Sequence, residues 1–183
     1  MRLFVAFDLP PEIAAELRRI CQGPPAARWS AFGQLHLTLR FLGETPEDRL
    51  SEVRAALGTV AAAAFSARVR GVGVFPRKRG PARVLWAGLT PEEPTCALKA
   101  AIDKALGPDA EAAERGFSPH LTLARFREDP GPALARYLAE HAAFASAPFA
   151  VGAFHLYEST LGRDGAVHEV LESYPLVAPV AGG

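Results

Sequence analysis

The chain has 183 residues, of which 49% are hydrophobic and 22% charged, and these values predict one globular domain over residues 1–183. Its 20 basic and 20 acidic side chains cancel at pH 7, which excludes a protein that coats nucleic acid through a general positive field. The two cysteines, Cys21 and Cys96, stand far apart, so neither a disulfide framework nor a cysteine-rich zinc site is predicted.

The first part of the chain alternates strand and helix patterns. Thr45 and Pro46, followed by two acidic residues, predict a helix start with Thr45 as the N-cap. Apolar periodicity predicts strands over residues 2–8, 34–42, 67–74 and 84–89, and helices over residues 10–22 and from residue 46.

The second part repeats this order of elements. Thr90 and Pro91, again followed by two acids, predict a second helix start of the same kind. The expected elements are a helix to about residue 106, a strand over 116–126, a helix over 131–141, strands over 148–159 and 166–174, and a loose tail over 177–183. This repeated order of strands and helices predicts that the two halves of the chain form two lobes of one domain.

The N-terminal apolar run ends at Asp8, which is too short for a signal peptide. No apolar run approaches the roughly 20 residues that a membrane helix needs. We therefore expect a cytoplasmic protein with no membrane contact, and since nothing indicates an obligate partner, we expect a monomer.

One tetrapeptide, His-Leu-Thr-Leu, occurs twice, at residues 36–39 and 120–123. Alternate residues of a strand share a face. His36 and Thr38 should therefore point one way, as should His120 and Thr122, with the leucines pointing into the core.

Two such histidines facing one cleft provide an acid and a base near neutral pH. Two threonine hydroxyls can hold phosphate oxygens. This set suits the attack of water on a phosphodiester. A metal centre fits less well, because no carboxylate stands at local spacing to either histidine. The sequence also lacks a nucleophile elbow, a P-loop and a dinucleotide-binding glycine motif.

The two His-x-Thr motifs and several further stretches resemble the RNA 2′,3′-cyclic phosphodiesterase family, also called bacterial 2′-5′ RNA ligases, of the 2H phosphoesterase superfamily. The further stretches are RLFVAFDLP near the N-terminus, LHLTLRFLGE, FPRKRGPARVLW, SPHLTLAR and LYESTLGRDGAVHEVLESYPL. The resemblance implies an α+β bilobal fold, with two pseudo-symmetric antiparallel sheets, outer helices and a central cleft.

The resemblance also implies metal-independent hydrolysis of a terminal RNA 2′,3′-cyclic phosphate to a 2′-phosphate, with no cofactor. His36 would be the proton donor and His120 the proton acceptor, although two identical tetrapeptides cannot make that assignment by themselves. Two alternatives remain open: a reversible 2′-5′ ligase that joins tRNA halves, and an RNA-end binding module with little turnover.

Arg125, five residues after His120, stands where family members carry an arginine that contacts phosphate. Simple alternation places it on the leucine side, so it reaches the cleft only if a bulge or the strand end turns it. By the same alternation Arg40 shares a face with His36, and Phe41 belongs to the core.

The neutral net charge hides an excess of 6 positive charges in residues 1–91 and of 6 negative charges in residues 92–183. A segment without acids carries four candidate RNA contacts, which a solvated loop explains equally well: Arg77, Lys78, Arg79 and Arg83. Phe117 and Phe126 lie at the border of the expected cleft, where an aromatic ring can stack on a base, but core packing is the favoured interpretation. Three further histidines lack a threonine two residues on and are interpreted as surface or structural residues: His141, His155 and His168.

Overall fold

The structure is a computed structural model, and it describes residues 1–31, 34–76, 81–107, 116–162 and 165–178. Within these residues the fold is α+β, as predicted. The strands are β1 (Arg2–Asp8), β2 (Ala27–Trp29), β3 (His36–Glu44), β4 (Phe65–Pro76), β5 (Ala82–Thr90), β6 (His120–Phe126), β7 (Phe149–Val151), β8 (Ala153–Gly162) and β9 (Gly165–Pro175). The helices are α1 (Pro11–Arg18), α2 (Leu50–Gly58), α3 (Glu92–Leu106) and α4 (Pro132–His141).

The described strands form two antiparallel sheets. The first sheet has the order β3-β1-β8-β9, and the second has the order β2-β6-β5-β4-β7. The expectation that each half of the chain forms one lobe is therefore wrong, because the first sheet joins both ends of the chain. Strand β1 pairs with β3 on one edge and with β8, from the C-terminal region, on the other.

The two sheets share one hydrophobic core, which contains the leucines of both His-Leu-Thr-Leu segments. Helix α3 packs on β3 and on α2, and α4 packs on β4. The Tyr137 hydroxyl of α4 donates a hydrogen bond to the Ile20 carbonyl just beyond α1, which ties these two helices together. None of the described helices is long and apolar enough to cross a membrane.

The predicted helix starts are confirmed, since a 3₁₀ turn follows Pro46 and α3 follows Pro91 directly. Neither threonine caps the following helix with its side chain, so the prediction of Thr45 as the N-cap is wrong. The Thr45 hydroxyl donates to the Gly43 carbonyl, and α2 begins only after a 3₁₀ turn over Glu47–Arg49. Thr90 remains paired in the sheet as the last residue of β5, and no side chain caps α3. Thr45 exchanges backbone hydrogen bonds with Met1 beyond the end of β3, and Thr90 pairs with Arg68 in the sheet.

Strand positions are predicted well, and their interruptions are not. The segment predicted as one strand over 148–159 breaks at Gly152 into β7 and β8, which join different sheets. β2 is too short to show a pattern. Val177, predicted in a loose tail, donates its backbone N–H to the Ala62 carbonyl. The predicted turn residues 163 and 164 and the tail residues 179–183 lie outside the described residues.

Candidate active site

The two His-x-Thr strands lie beside each other where the sheets meet. β3 is an edge strand of the first sheet, and it contacts β6, which is second from the edge of the other sheet. The leucines of both motifs are at most 2% exposed and belong to the same core. The remaining four side chains lie on the opposite strand faces, half-buried, as the alternation predicts: His36, Thr38, His120 and Thr122.

Each motif strand carries a β-bulge directly after its threonine. In the β1–β3 pairing, Ala6 faces Thr38 while the adjacent Val5 faces Arg40, so Leu39 is the extra residue. In the β5–β6 pairing, Trp86 faces Thr122 and Leu85 faces Ala124, which makes Leu123 the extra residue. A bulge interrupts the period of two, so the residues that directly follow it change face.

In β3 the bulge reverses two expectations from simple alternation, and both are therefore wrong. The Arg40 guanidinium turns to the helix side, where it donates to the Gly107 carbonyl at 2.8 Å and pairs with the Asp103 carboxylate at 3.3 Å. Phe41 turns away from the core and is 66% exposed. Its ring lies 6.2 Å from that of Phe4, on the face that carries His36.

In β6 the equivalent bulge turns Arg125 outward. Both Leu123 and Ala124 are buried, and Arg125 is exposed. The interrupted alternation places the Arg125 side chain on the face that carries His120 and Thr122. Arg125 follows His120 by five residues, as Phe41 follows His36, so a guanidinium and an exposed aromatic ring occupy corresponding positions of the two motifs.

His36 lies in a cluster of rings on the open face of the first sheet. The Phe4 ring is 4.9 Å from the His36 ring, and His168 and Tyr157 follow at 5.3 and 5.9 Å. The Tyr157 hydroxyl donates to the carboxylate of Asp8, the residue that pairs with His36 across β1 and β3. His168 was assigned a structural role from the sequence, because it has no neighbouring threonine. The pairing of distant strands brings it to His36.

Burial among these rings and, second to it, the positive charge that His168 carries when protonated together lower the pKa of His36 from 6.5 to about 4. The carboxylate of Asp8 and a hydrogen bond with the backbone of Gln34 oppose this shift. Burial also lowers the pKa of His168. In the free protein His36 is therefore neutral at pH 7.

His120 has different surroundings. Its Nδ1 lies 2.8 Å from the Ser118 carbonyl, and its ring meets the Phe75 ring edge-to-face at 4.8 Å. Phe75 in turn packs on Trp86 at 5.5 Å. Trp86 lies over Gly73, where an added Cβ would come within 2.2 Å of the indole. Gly73 thus lets the indole lie flat on β4.

The basic segment, residues 53–91, has no acidic side chain, and its described arginines do not form one surface. Arg83 donates to the carbonyls of Phe126 and Arg127 at the end of β6, while Arg68 and Arg70 line a shallow depression beside the end of α4. The other predicted RNA contacts of this segment lie outside the described residues: Arg77, Lys78 and Arg79.

The remaining candidates lie elsewhere. Phe126 is 4% exposed in the core, and the Lys99 ammonium lies over the Phe117 ring. His141 packs on Tyr137 of its own helix, and His155 contacts the Ser173 hydroxyl at 2.8 Å. Over the described residues, no three His, Cys, Asp or Glu side chains group closely enough to hold a metal ion.

Comparisons with known proteins agree with this architecture. The family model of the 2′-5′ RNA ligase superfamily matches residues 8–163. An RNA 2′,3′-cyclic phosphodiesterase of Thermus thermophilus is 36% identical, with 96% of this chain and 90% of the relative covered. One of Thermotoga maritima is 31% identical, with 93% of each covered.

Solved structures give the same result. Escherichia coli LigT complexed with NADP+ superposes with a TM-score of 0.76 at 28% identity, covering 96% of this chain and 97% of that one. TT0787 of Thermus thermophilus superposes with a TM-score of 0.72 at 33% identity, covering 96% and 97%. The resemblance noted in the sequence is confirmed, and the chain belongs to the 2′-5′ RNA ligase superfamily.

Proposed function

We propose that this protein hydrolyses a terminal RNA 2′,3′-cyclic phosphate to a 2′-phosphate, without a metal, using His36 and His120 as acid and base. The observation that carries the proposal is the meeting of β3 and β6. Each of these strands turns a histidine and a threonine away from a common leucine core. The names of the full-length relatives support the same activity.

His120 is suited to be the proton acceptor. A carbonyl oxygen can only accept a hydrogen bond, so the contact with Ser118 places the proton of the neutral ring on Nδ1. Nε2 then carries the lone pair, and it takes a proton from the attacking water as the new P–O bond forms. The Ser118 carbonyl also fixes the orientation of the ring.

His36 is suited to be the proton donor once substrate is bound. Its ring is neutral in the free protein, because its pKa is about 4. A phosphate anion beside the ring favours the charged form. The protonated ring then delivers its proton to the O3′ oxygen while the P–O3′ bond breaks. The oxygen of the attacking water ends in the 2′-phosphate of the product, and the proton from His36 ends on its free 3′-hydroxyl. The reaction therefore consumes one water.

The hydroxyls of Thr38 and Thr122 lie on the same strand faces as the two rings and would donate to the phosphate oxygens. Arg125, turned outward by its bulge, would bind the same phosphate with its fork of N–H donors. Arg83 is the described member of the predicted RNA-binding segment, and its guanidinium is bonded to carbonyls at the end of β6. We therefore give Arg125 the larger role.

Ligation is the second candidate, and the description of the matching family favours it. If a 5′-hydroxyl replaces water as the nucleophile, the same proton transfers yield a 2′-5′ phosphodiester. The RNA involved would be a pair of cleaved tRNA halves. The same groups act in both reactions, so the structure requires no second site for ligation.

The decisive experiment is product analysis on an oligonucleotide that ends in a 2′,3′-cyclic phosphate. We expect a 2′-phosphate as the product, unchanged turnover in EDTA, and a joined product only when a 5′-hydroxyl strand is added. His36→Ala and His120→Ala should each lose about 10²–10⁴-fold in kcat. His141→Ala, a histidine outside the cleft, is the matched control.

Three results would contradict the proposal. A 3′-phosphate product would mean that the P–O2′ bond breaks. Loss of turnover in EDTA would indicate a metal enzyme. Tight binding of the cyclic end with no turnover on any cyclic phosphate would indicate the RNA-end binding module instead.

A further inference from the structure

A second arginine lies beside Arg125 on the open face of the second sheet. Strand β2 pairs antiparallel with β6, and the register places Arg28 directly opposite Arg125. Both side chains are exposed. Directly opposed residues of an antiparallel pair point to the same face, with Cβ atoms about 4.5–5.5 Å apart. Arg28 therefore lies on the sheet face that carries His120 and Thr122.

The residues that follow Arg28 fix the direction of its side chain. Trp29 turns to the opposite face, where its ring lies 6.1 Å from the Tyr137 ring of α4. Ser30 donates two hydrogen bonds of 2.8 Å to carbonyl groups of β6, one from its backbone N–H and one from its hydroxyl. The short strand is thus tied to β6 at the bulge, and alternation leaves the Arg28 side chain on the open face.

The two opposed guanidiniums have no counter-charge. Within the residues that the structure describes, neither Arg28 nor Arg125 takes part in a hydrogen bond or an ion pair. Arg83 adds a third positive charge at the same end of β6, where it donates to two backbone carbonyls. Like charges directly opposite each other destabilise a sheet, and such a local conflict is expected where a site serves function.

The position of Arg28 indicates which anion would resolve this conflict. In the proposed function Arg125 binds the terminal phosphate. Arg28 lies one strand further out, about 4.8 Å away at the edge of the sheet. An RNA chain carries a negative charge at every phosphodiester, and the one closest to the cyclic end joins the terminal nucleotide to its 5′ neighbour. A free nucleoside 2′,3′-cyclic phosphate has no such second phosphate.

We propose that Arg28 forms a second phosphate subsite, which binds the phosphodiester on the 5′ side of the terminal nucleotide while Arg125 binds the terminal phosphate. This inference rests on the proposed function, and it names the preferred substrate class as the end of an oligoribonucleotide. A contact with phosphate positions the strand without reading its bases.

Two ligands isolate the contribution of the added phosphate. Adenosine 2′-phosphate carries the terminal phosphate alone, and the adenosine dinucleotide with a 2′-phosphate end adds one phosphodiester. Isothermal titration calorimetry measures both affinities in the wild type, Arg28→Gln and Arg28→Lys. Arg70→Gln is the matched control, because Arg70 is exposed on the same sheet face and its partner across β5 is Gly88, not a cation.

We expect Arg28→Gln to lose about 10-fold in affinity for the dinucleotide and to bind adenosine 2′-phosphate as the wild type does. Arg28→Lys should recover part of the loss, since it restores the charge without the fork of donors. Arg70→Gln should match the wild type on both ligands. Without ligand, Arg28→Gln should melt no lower than the wild type, because one of two repelling charges is gone.

Four results would overturn the inference. An equal loss on both ligands would place Arg28 at the terminal phosphate, and equal losses in Arg28→Gln and Arg70→Gln would indicate general electrostatic attraction. An unchanged dinucleotide affinity in Arg28→Gln would mean that the subsite does not exist. A lower melting temperature of ligand-free Arg28→Gln would give Arg28 a structural role.

These measurements do not depend on turnover. Absence of hydrolysis by the wild-type protein would refute the proposed function and leave the binding comparison intact, so the two failures are distinguishable.

Discussion

The two His-x-Thr strands share a tetrapeptide and a bulge after the threonine, and they differ in what surrounds the histidine. His36 lies among rings contributed by three other strands. His120 meets Phe75 and is held by the carbonyl of its own segment. Identical local sequence therefore fixes the position of each imidazole. Strands far away in the chain decide how readily the ring takes a proton.

The largest effect expected from this comparison is the loss of kcat when either motif histidine is removed. His36→Ala and His120→Ala would each remove one of the two proposed proton transfers, and each should lower kcat by about 10³-fold. The double variant should be only slightly slower than either single variant, because residues that act as a unit are not additive. Single-turnover kinetics on a nucleoside 2′,3′-cyclic phosphate would measure this. Independent, multiplied losses would show that the two strands do not serve one reaction.

The buried environment of His36 also predicts a pH dependence of stability. The pKa of His36 is about 4 in the folded protein against 6.5 for the unperturbed group. The unfolded chain therefore binds more protons between these values, and stability falls as pH falls from about 6.5 to about 4. The difference between these two pKa values corresponds to about 3 kcal/mol.

His36→Asn removes the titrating group, so its stability curve should fall less over the same range. Urea unfolding at pH 7.5 and at pH 4.5 gives the free energies of unfolding for both proteins. If the free energy of unfolding falls equally in the wild type and in His36→Asn, the pKa of His36 is not lowered in the folded protein. The contrast between the two histidines would then disappear.

Arg125 follows His120 by five residues, as Phe41 follows His36. We expect Arg125 to contribute more to substrate binding than Phe41. Arg125→Ala would remove the proposed charged hydrogen bonds to phosphate, each worth about 1.5–3 kcal/mol. We therefore expect KM to rise about 10- to 100-fold, with kcat less affected. Arg125→Lys should recover part of this loss, since it restores the charge without the fork. Arg127→Ala, also an exposed arginine, is the control. Equal losses in the Arg125 and Arg127 variants would indicate general electrostatic attraction.

The sequence predicts the motifs, the faces of their histidines and threonines, and most strands, because alternation and the His-x-Thr repeat are local. It cannot predict the bulges at Leu39 and Leu123, since these leucines are of the same type as Leu37 and Leu121, which keep the regular alternation. Arg40 and Phe41 were therefore assigned to the wrong faces. The contact between His168 and His36 is not predicted from the sequence for another reason. It depends on the strand order β3-β1-β8-β9, which only long-range pairing establishes.

The smallest effect should come from Phe41, whose ring is 66% exposed beside the His36 cluster. An exposed aromatic ring next to a phosphate site can stack on the terminal base, and a base–aromatic stack is worth about 1–3 kcal/mol. Phe41→Ala should raise KM for a nucleoside 2′,3′-cyclic phosphate about 10-fold and leave kcat nearly unchanged.

Two comparisons test whether Phe41 acts through the base. Leu161→Ala removes another exposed apolar side chain, at the far end of β8, and should leave KM unchanged. Ribose 2′,3′-cyclic phosphate has no base, so wild type and Phe41→Ala should hydrolyse it with equal kcat/KM. An equal loss on both substrates would mean that Phe41 supports Phe4 and the ring cluster and does not bind the base. Of the two residues that stand five positions after a motif histidine, only Arg125 would then contact the substrate, and Phe41 would support His36.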